Sequence, residues 1–253
     1  MKAQRLLVLI PLMLGLGNAH AERREFTYNV DTEVDATGQV TRADVVADID
    51  PAIESTVVAL MKAWKFKPAQ KSGQAVAART AMWIKVVADI GDDQRASVTA
   101  RYLSHGNLID NRQPPRYPSS VMRLGGEAEV VLEVSVDASG AVTAIEPFVI
   151  KVTGGDKRIG QQFYTAAHDA VRRWSFRPEL VDAQPVTSHV LIPISFTLRP
   201  SSGKPLRAIV DRSTEALDAA TQAALANLDA SEQRSASIGN ATGLEFVSDG
   251  SQG

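Results

Sequence analysis

The sequence has 253 residues, with 27 lysines and arginines against 29 aspartates and glutamates, and no cysteine. The absence of cysteine excludes a disulfide framework and thiolate chemistry. A formal charge of −2 gives no support for nucleic-acid binding, which calls for a clustered basic face. The length is enough for two small domains.

The N-terminus has the pattern of a secretory signal peptide. Two cationic residues precede an apolar run over 6–17, and a small-x-small cleavage site ends at Ala21. We expect residues 1–21 to be removed before Glu22, which would direct the protein to the periplasm. The alternative is an anchor on the periplasmic side of the inner membrane. A helix of about 12 residues, however, reaches only about 18 Å, against about 30 Å of hydrocarbon.

Residues 22–90 carry the first of two similar patterns. Apolar side chains alternate over 26–34, the glycine-containing turn 35–38 follows, and an apolar pattern resumes over 40–46. Alternation with a period of two on both sides of a short glycine-containing loop predicts a β-hairpin.

An amphipathic helix is predicted after this hairpin. Asp50 offers an N-cap, and apolar residues recur with helical spacing as far as Trp64. The motif Trp64-x-Phe66-x-Pro68 ends the helix, because the residue before a proline disfavours the α conformation.

The same pattern recurs over 114–200. The glycine turn of the second hairpin, at Gly140, lies 102 positions after the first, whereas the helix and the motif that ends it lie 110 positions later. The second set of motif residues is Trp174, Phe176 and Pro178. The second copy therefore has eight extra residues between hairpin and helix, around 148–158. We expect them in the connecting loop, where extra length costs little free energy.

Each copy is predicted to be a small α+β unit of β-hairpin, amphipathic helix and closing strand. This gives a three-stranded antiparallel sheet with the helix on one face. The closing strands are predicted over 76–87 and 186–198, each at the edge of its sheet.

The segments outside the two copies have different compositions. The polar segment 91–113 is predicted to be a linker, and residues 101–103 are its only strand-like piece. In 201–253 we expect an Ala-rich helix over 214–232, followed by a disordered tail. Residues 244–247 are the apolar exception in this tail and are able to add to a sheet edge.

Five motifs of the second copy resemble the C-terminal domain of TonB-family proteins. They are PPRYP at 114–118, GEAEV at 126–130, VDASGAV at 136–142, AVRRWSFRP at 170–178 and VLIPISF at 190–196. Their order and spacing cover residues 114–199. Residues 25–88 resemble a shorter copy that lacks the Tyr117-Pro118 motif.

The resemblance implies a function in binding. TonB C-terminal domains bind extended segments of outer-membrane receptors by strand addition, in which main-chain hydrogen bonds supply the affinity. The family's energy transducers also keep a membrane helix and a long Pro-rich spacer. Here the apolar run is short, only residues 22–25 precede the first copy, and the prolines are scattered. The fold and the binding mode therefore carry over to this chain more readily than energy transduction does.

The resemblance places the candidate docking edge on the last strand of the second copy. Pro193 fits an edge strand, because proline cannot donate to a ladder. Its alternative role is to protect the edge from aggregation. The candidate docking residues are His189, Val190, Leu191, Ile192, Ile194, Ser195 and Phe196. The even-numbered residues share the parity expected to face the helix, and the odd-numbered residues face away.

Trp64 and Trp174 are predicted to be core residues, because a tryptophan at helical spacing is usually buried. Tyr117 and Pro118 are predicted to fix the path of the chain into the second copy. No catalytic, cofactor or metal site is expected. The histidines after residue 21 lack metal-ligand spacing, and the side chains of His168 and Asp169, adjacent on a helix, are expected to diverge.

The sequence therefore predicts a periplasmic, non-enzymatic protein with tandem TonB C-terminal-like domains. Its expected partner is an extended segment of an outer-membrane receptor or another envelope protein, with no nucleic acid, small-molecule substrate or cofactor. One alternative is a membrane-anchored transducer for outer-membrane transport. Another is a structural or assembly protein that forms homodimers through its sheet edges.

Overall fold

The protein is described from a computed structural model, which covers residues 6–9, 22–90, 95–213, 236–238 and 242–250. The helices in these ranges are α1 (Pro51–Lys62), α2 (Ser119–Arg123) and α3 (Lys157–Val171). The strands are β1 (Leu6–Leu9), β2 (Glu22–Val34), β3 (Val40–Val45), β4 (Lys65–Lys67), β5 (Ala69–Lys71), β6 (Gln74–Val76), β7 (Ala78–Ile90), β8 (Arg95–Gly106), β9 (Leu108–Asn111), β10 (Ala128–Val136), β11 (Val142–Thr153), β12 (Ser175–Arg177), β13 (Leu180–Val181), β14 (Gln184–Pro185), β15 (Ser188–Phe196), β16 (Leu206–Asp211), β17 (Ala236–Ile238) and β18 (Glu245–Ser248).

The described residues form two compact units, named unit 1 and unit 2. Unit 1 contains the residues up to 104 together with 180–184 and 242–250. Unit 2 contains 105–179, 185–213 and 236–238. Strands outnumber helices in the described ranges, and this mixture agrees with the predicted α+β class.

Unit 2 is built on a five-stranded sheet with the order β16-β11-β10-β15-β17. The central strand β10 pairs antiparallel with β11 on one side and with β15 on the other. Every second residue of β10 is buried, as the alternation in sequence predicts. These residues form one core with Phe163, Ala167 and Val171 of α3.

Unit 1 is built on a seven-stranded sheet. Its strand β2 pairs antiparallel with β3 on one side and, over the whole of its length, with β7 on the other. The predicted helical stripe is buried at Val57, Met61 and Trp64, and the sheet contributes Val30 and Met82 to the buried set.

Both long helices begin at an aspartate. The Asp50 carboxylate accepts a hydrogen bond from the Ala52 amide at 2.8 Å, which confirms the predicted N-cap. Asp156 caps α3 in the same way, accepting from the Arg158 amide at 2.7 Å. Each carboxylate satisfies an amide that has no partner inside the helix.

The predicted three-stranded sheets with a closing edge strand are wrong in their extent. In unit 1, β8 and β13 continue the sheet beyond β7, so β7 is not an edge strand. In unit 2, β16 and β17 extend the sheet on both sides. Strand β8 lies in the segment predicted to be a linker. The sequence indicates a strand only at residues 101–103 of it, since backbone pairing does not require an apolar side chain at every second position.

The eight extra residues of the second copy do not all lie in a loop. Strand β11 has 12 residues, whereas its counterpart β3 has 6. The additional length of β11 has a partner, because Val149–Thr153 pairs with β16. The expectation of a longer connecting loop is therefore wrong for most of the insertion.

The two ends of the chain are described only in part. Residues 6–9 form β1, which pairs with β8, while Ala21 and the rest of the predicted signal peptide lie outside the described residues. The predicted Ala-rich helix over 214–232 also lies outside them. Strands β17 and β18 lie in the segment predicted to be disordered. No helix in the described ranges has the length and apolar character needed to cross a membrane.

Candidate docking edge of unit 2

Strand β15 pairs along its whole length with β10, the central strand of the unit 2 sheet. Ile192 lies opposite Leu132 and Ile194 lies opposite Val130. Val190, Ile192, Ile194 and Phe196 are at most 3% exposed and belong to the core that α3 covers. The inward parity predicted from the sequence is therefore correct.

The outward parity of β15 is only partly exposed. His189 is exposed and Ser195 is half-buried, but Leu191 and Pro193 are buried. Leu191 packs with Phe148 and Val149, and Val131 lies against them. This second small core belongs to the parity that does not face α3, so the Leu191 side chain is not accessible to a bound peptide. The sequence signal for it is Val131, an apolar residue on the otherwise polar parity of β10.

The outer margin of β15 is paired over only part of its length. β17 pairs antiparallel with His189, Val190 and Leu191. Within the described part of the chain, the ladder on this side stops at Leu191, so residues 192–196 have a strand partner on the β10 side alone.

A buried carboxylate holds the end of β15 in place. The Glu127 side chain, only 4% exposed, accepts hydrogen bonds from the amides of Leu198 and Ser202 at 2.9 and 3.1 Å. It also accepts from the hydroxyls of Ser201 and Ser202 at 2.8 and 2.6 Å. These bonds, with that of the Ser202 hydroxyl as the largest cause, lower the pKa of Glu127 to about 2. No pattern in the sequence identifies this site, because its donors lie more than 70 residues away.

Tyr117 fixes the start of the unit 2 domain, as predicted. Its hydroxyl donates to the Gly126 carbonyl, and its ring stands edge-on to those of Phe163 and Phe196 at 5.5 and 5.7 Å. Burial raises the pKa of the Tyr117 hydroxyl. Pro118 occupies the N-cap position of the short helix α2.

The Trp-x-Phe-x-Pro motif is structural in both units. Trp64, Phe66, Trp174 and Phe176 are at most 4% exposed, as expected for core residues. Strands β4 and β12 cover the middle of the two motifs and end immediately before Pro68 and Pro178. The indole N–H of Trp174 donates to the Gln113 carbonyl at 2.9 Å, which satisfies the polar atom of this buried ring.

The histidines form contacts but no metal cluster. His189 Nδ1 lies 3.1 Å from the Ser135 hydroxyl across the β10–β15 ladder. His168 Nδ1 lies 3.4 Å from a carboxylate oxygen of Asp169, so these side chains meet instead of diverging as expected. Among the residues that the structure describes, no three histidine, aspartate or glutamate side chains are arranged to hold a metal ion.

Comparison with known proteins gives a family match for one segment of the chain. Residues 113–198 match the family model for the Gram-negative bacterial TonB protein C-terminal region. The resemblance predicted from the motifs over 114–199 is therefore confirmed for this segment.

Curated relatives agree with this match. The chain is 34% identical over 88 residues to "Protein TonB" of Xanthomonas campestris pv. campestris, covering 35% of this chain and 36% of the relative. It is 31% identical over 91 residues to "Protein TonB" of Vibrio cholerae, covering 36% and 34%. It is 37% identical over 84 residues to "Protein tonB2" of Pseudomonas aeruginosa, covering 33% and 28%. The chain spans about a third of the length of these relatives.

Proposed function

We propose that this chain, whose residues 113–198 are a TonB C-terminal domain, is a periplasmic, non-enzymatic binding protein. Unit 2 binds extended segments of outer-membrane receptors or other envelope proteins by adding them as a strand beside residues 192–196 of β15. The observation that supports this proposal is the match of residues 113–198 to the TonB C-terminal family model, since β15 is the last strand of that segment and lies next to the short strand β17 at one side of the sheet.

The position of Pro193 indicates which backbone groups face the margin. Proline has no amide, and within a sheet it is tolerated where that amide would point to solvent. Backbone groups of residues two apart on a strand point to the same side, so the Ser195 amide and carbonyl face the margin with the Pro193 carbonyl. An incoming strand would accept from the Ser195 amide and donate to these two carbonyls.

Strand β15 is held in place on its inner face and at its C-terminal end. The inward residues of β15 belong to the core under α3, and Glu127 fixes the chain directly after the strand. A preformed edge lowers the entropy cost of binding. Selectivity would come from the side chains beside the margin, among which Ser195 is half-buried and Glu129 lies opposite it on β10.

Unit 2 is a better candidate for binding than unit 1. The corresponding strand of unit 1, β7, pairs with β2 along one side, and β8 and β13 lie on its other side. We propose that unit 1 is a shorter copy of the same fold, since its hairpin, helix and Trp-x-Phe-x-Pro motif follow in the same order. In this proposal unit 1 does not bind receptor segments through β7.

Cysteine cross-linking tests the docking edge directly. The chain has no native cysteine, so a Ser195→Cys variant carries a single thiol. Receptor N-terminal peptides with one cysteine moved along their sequence should form a disulfide with it at one or two positions, because the Cα atoms must lie within about 7 Å. The control is Thr143→Cys, on the exposed part of β11. Equal cross-linking by both variants would overturn the proposal.

The second candidate function is that of a membrane-anchored transducer for outer-membrane transport. The match to relatives named TonB favours this alternative. The same β15 edge would bind receptor segments in it. Fractionation of the cell envelope with N-terminal sequencing separates the two. The proposed periplasmic protein begins at Glu22 and is found in the soluble fraction, whereas an anchored protein keeps residues 1–21 and stays with the inner membrane.

A further inference from the structure

The short strands β4 and β12 are equivalent in the two units. On one side each strand is hydrogen-bonded to the turn of its unit's hairpin. The Phe66 amide donates to the Gly38 carbonyl at 2.9 Å, and the Phe176 amide donates to the Gly140 carbonyl at 3.0 Å. On the other side each is paired with a further strand, β18 for β4 and β9 for β12. These two partner strands come from different parts of the chain.

In unit 2 the partner strand is local. β9 comes directly before the TonB C-terminal segment and pairs antiparallel with β12, with Ile109 opposite Phe176. Arg177 of β12 forms an ion pair with Asp110 at 3.0 Å.

In unit 1 the partner strand is the C-terminal segment. β18 pairs antiparallel with β4, with Phe246 opposite Phe66. The β18–β4 pairing has the same register as the β9–β12 pairing of unit 2. In both, one irregularity follows the central pair along the partner strand, β18 or β9. Lys67 forms an ion pair with Glu245 at 3.1 Å, at the position that Arg177 occupies in unit 2. The two strands therefore fill the same position.

Among the described residues of the first copy, none forms a strand at this position. The hairpins of the two copies lie 102 positions apart, so the residues of the first copy that correspond to β9 are 6–9. These residues form β1, which pairs with β8 instead of β4. They also belong to the predicted signal peptide, so they are absent from the proposed mature protein. The C-terminal segment supplies the missing strand.

The contacts of β18 are those of a ligand with defined anchors. The Phe246 ring stacks on Tyr102 at 4.8 Å and stands edge-on to Phe66 and Trp64 at 5.4 and 5.7 Å. Leu244 is 1% exposed, Phe246 is 36% exposed and Val247 is 65% exposed. A short segment with two apolar anchors, one ion pair and a backbone ladder has the features of strand-addition peptides.

We propose that unit 1 has its own peptide-binding slot, formed by the β4 edge with Trp64, Phe66 and Tyr102, and that the C-terminal segment 242–250 is its ligand. The segment acts as an intramolecular donor strand that completes unit 1. This site lies outside the β15 edge of unit 2, and the inference does not depend on receptor binding there.

Binding of the separated segment tests the proposal. A fluorescent peptide with the sequence of residues 242–250 is titrated into the full chain and into a chain shortened by residues 242–253. The shortened chain should bind one peptide, and the full chain should bind it at least about tenfold more weakly, because its own segment occupies the slot at high effective concentration. Equal binding to both chains, or binding to neither, would overturn the proposal.

Matched substitutions locate the site. A Phe246→Ala peptide should lose about tenfold or more in affinity, since the aromatic anchor is removed. Lys67→Glu in the shortened chain should weaken the peptide several-fold, and a Glu245→Lys peptide should restore the loss. Arg177→Glu, the same change at the equivalent position of unit 2, should leave the affinity unchanged. If Arg177→Glu weakens binding as much as Lys67→Glu does, the slot is not in unit 1.

A chain cut after folding covers the case in which the shortened chain does not fold. A protease site is inserted after residue 240, and the purified full chain is cleaved. The released segment should co-elute with the body of the protein and exchange with the fluorescent peptide. A segment that separates on gel filtration, without uptake of the fluorescent peptide, would contradict the proposal.

Discussion

Phe176 and Gly140 are joined by a hydrogen bond from the Phe176 amide to the Gly140 carbonyl, 3.0 Å long. The Phe176 carbonyl also lies so close that a Cβ on Gly140 would stand 1.9 Å from its oxygen. The hairpin turn therefore rests directly on the Trp-x-Phe-x-Pro strand. This contact explains why the two motifs occur together in both copies, since Gly38 and Phe66 make the same contact.

The first prediction concerns this glycine. Gly140 has φ +85°, where a side chain is strained, and an added methyl group would meet the Phe176 carbonyl. Gly140→Ala should lower the free energy of unfolding by more than about 3 kcal/mol, combining strain with a steric clash. Urea unfolding followed by tryptophan fluorescence measures the change.

The matched control is Gly154→Ala. Gly154 also has a positive φ, +70°, but nothing lies within 4 Å of an added Cβ. Its substitution should cost only the conformational strain, about 1 kcal/mol. Equal losses in the two variants would show that the close approach of Gly140 to Phe176 does not contribute.

The second prediction is a pH dependence set by Glu127. Its pKa is about 2 in the folded protein, below the ordinary value of 4.5, so the carboxylate stabilises the fold fully above about pH 4.5. This contribution, at most about 3 kcal/mol, is lost as the pH falls through about 2. Glu127→Gln should therefore be less stable than the wild type at pH 7, and the difference should shrink in acid.

Urea unfolding at a series of pH values tests the Glu127 prediction. Glu129→Gln is the control on the same strand, because Glu129 is more exposed and lies 3.6 Å from Lys151 in a surface ion pair. Such a pair is worth less than about 1 kcal/mol. A difference between wild type and Glu127→Gln that stays constant from pH 7 to pH 2 would contradict the assignment.

The third prediction tests the second small core of unit 2. Leu191 belongs to the parity of β15 that faces away from α3, yet it is fully buried. Leu191→Ala should destabilise the protein by about 2–5 kcal/mol, as for other buried leucines. Ser195→Ala, four residues along the same strand, should change the stability by less than about 0.5 kcal/mol. A neutral Leu191→Ala variant would mean that this side of β15 is exposed after all.

Local patterns in the sequence predicted the elements that depend on near neighbours. The alternation around Val130 and Val134 predicted β10, and helical spacing up to Trp174 predicted the buried face of α3. These patterns reflect which side of an element is buried, and that side is fixed by the period of the backbone.

Features that depend on distant partners were not predictable in this way. Strand β8 was predicted only over 101–103, because ladder pairing does not require an apolar period along the rest of the strand. The role of Glu127 was missed because its partners are Leu198, Ser201 and Ser202. The partner of β4 was also missed, although residues 244–247 were identified as able to add to a sheet edge, because nothing local indicates which edge they join.

The fourth prediction concerns the start of the segment that matches the TonB C-terminal family model. Tyr117→Phe keeps the ring contacts with Phe163 and Phe196 but removes the hydroxyl that donates to the Gly126 carbonyl. The loss should be about 1 kcal/mol, as for a single hydrogen bond. Tyr117→Ala, which also removes the ring, should cost about 3 kcal/mol or more. Similar losses in the two variants would show that the ring contributes little.

The most direct test of strand addition at β15 is the hydrogen exchange of the Ser195 amide, measured by NMR with and without a bound receptor N-terminal peptide. The proposed register places this amide at the outer margin, so the peptide should slow its exchange. The amides of Ile192 and Ile194, which face β10, should be protected already and change little. A bound peptide that leaves the exchange of Ser195 unchanged, while protecting amides elsewhere, would contradict the account.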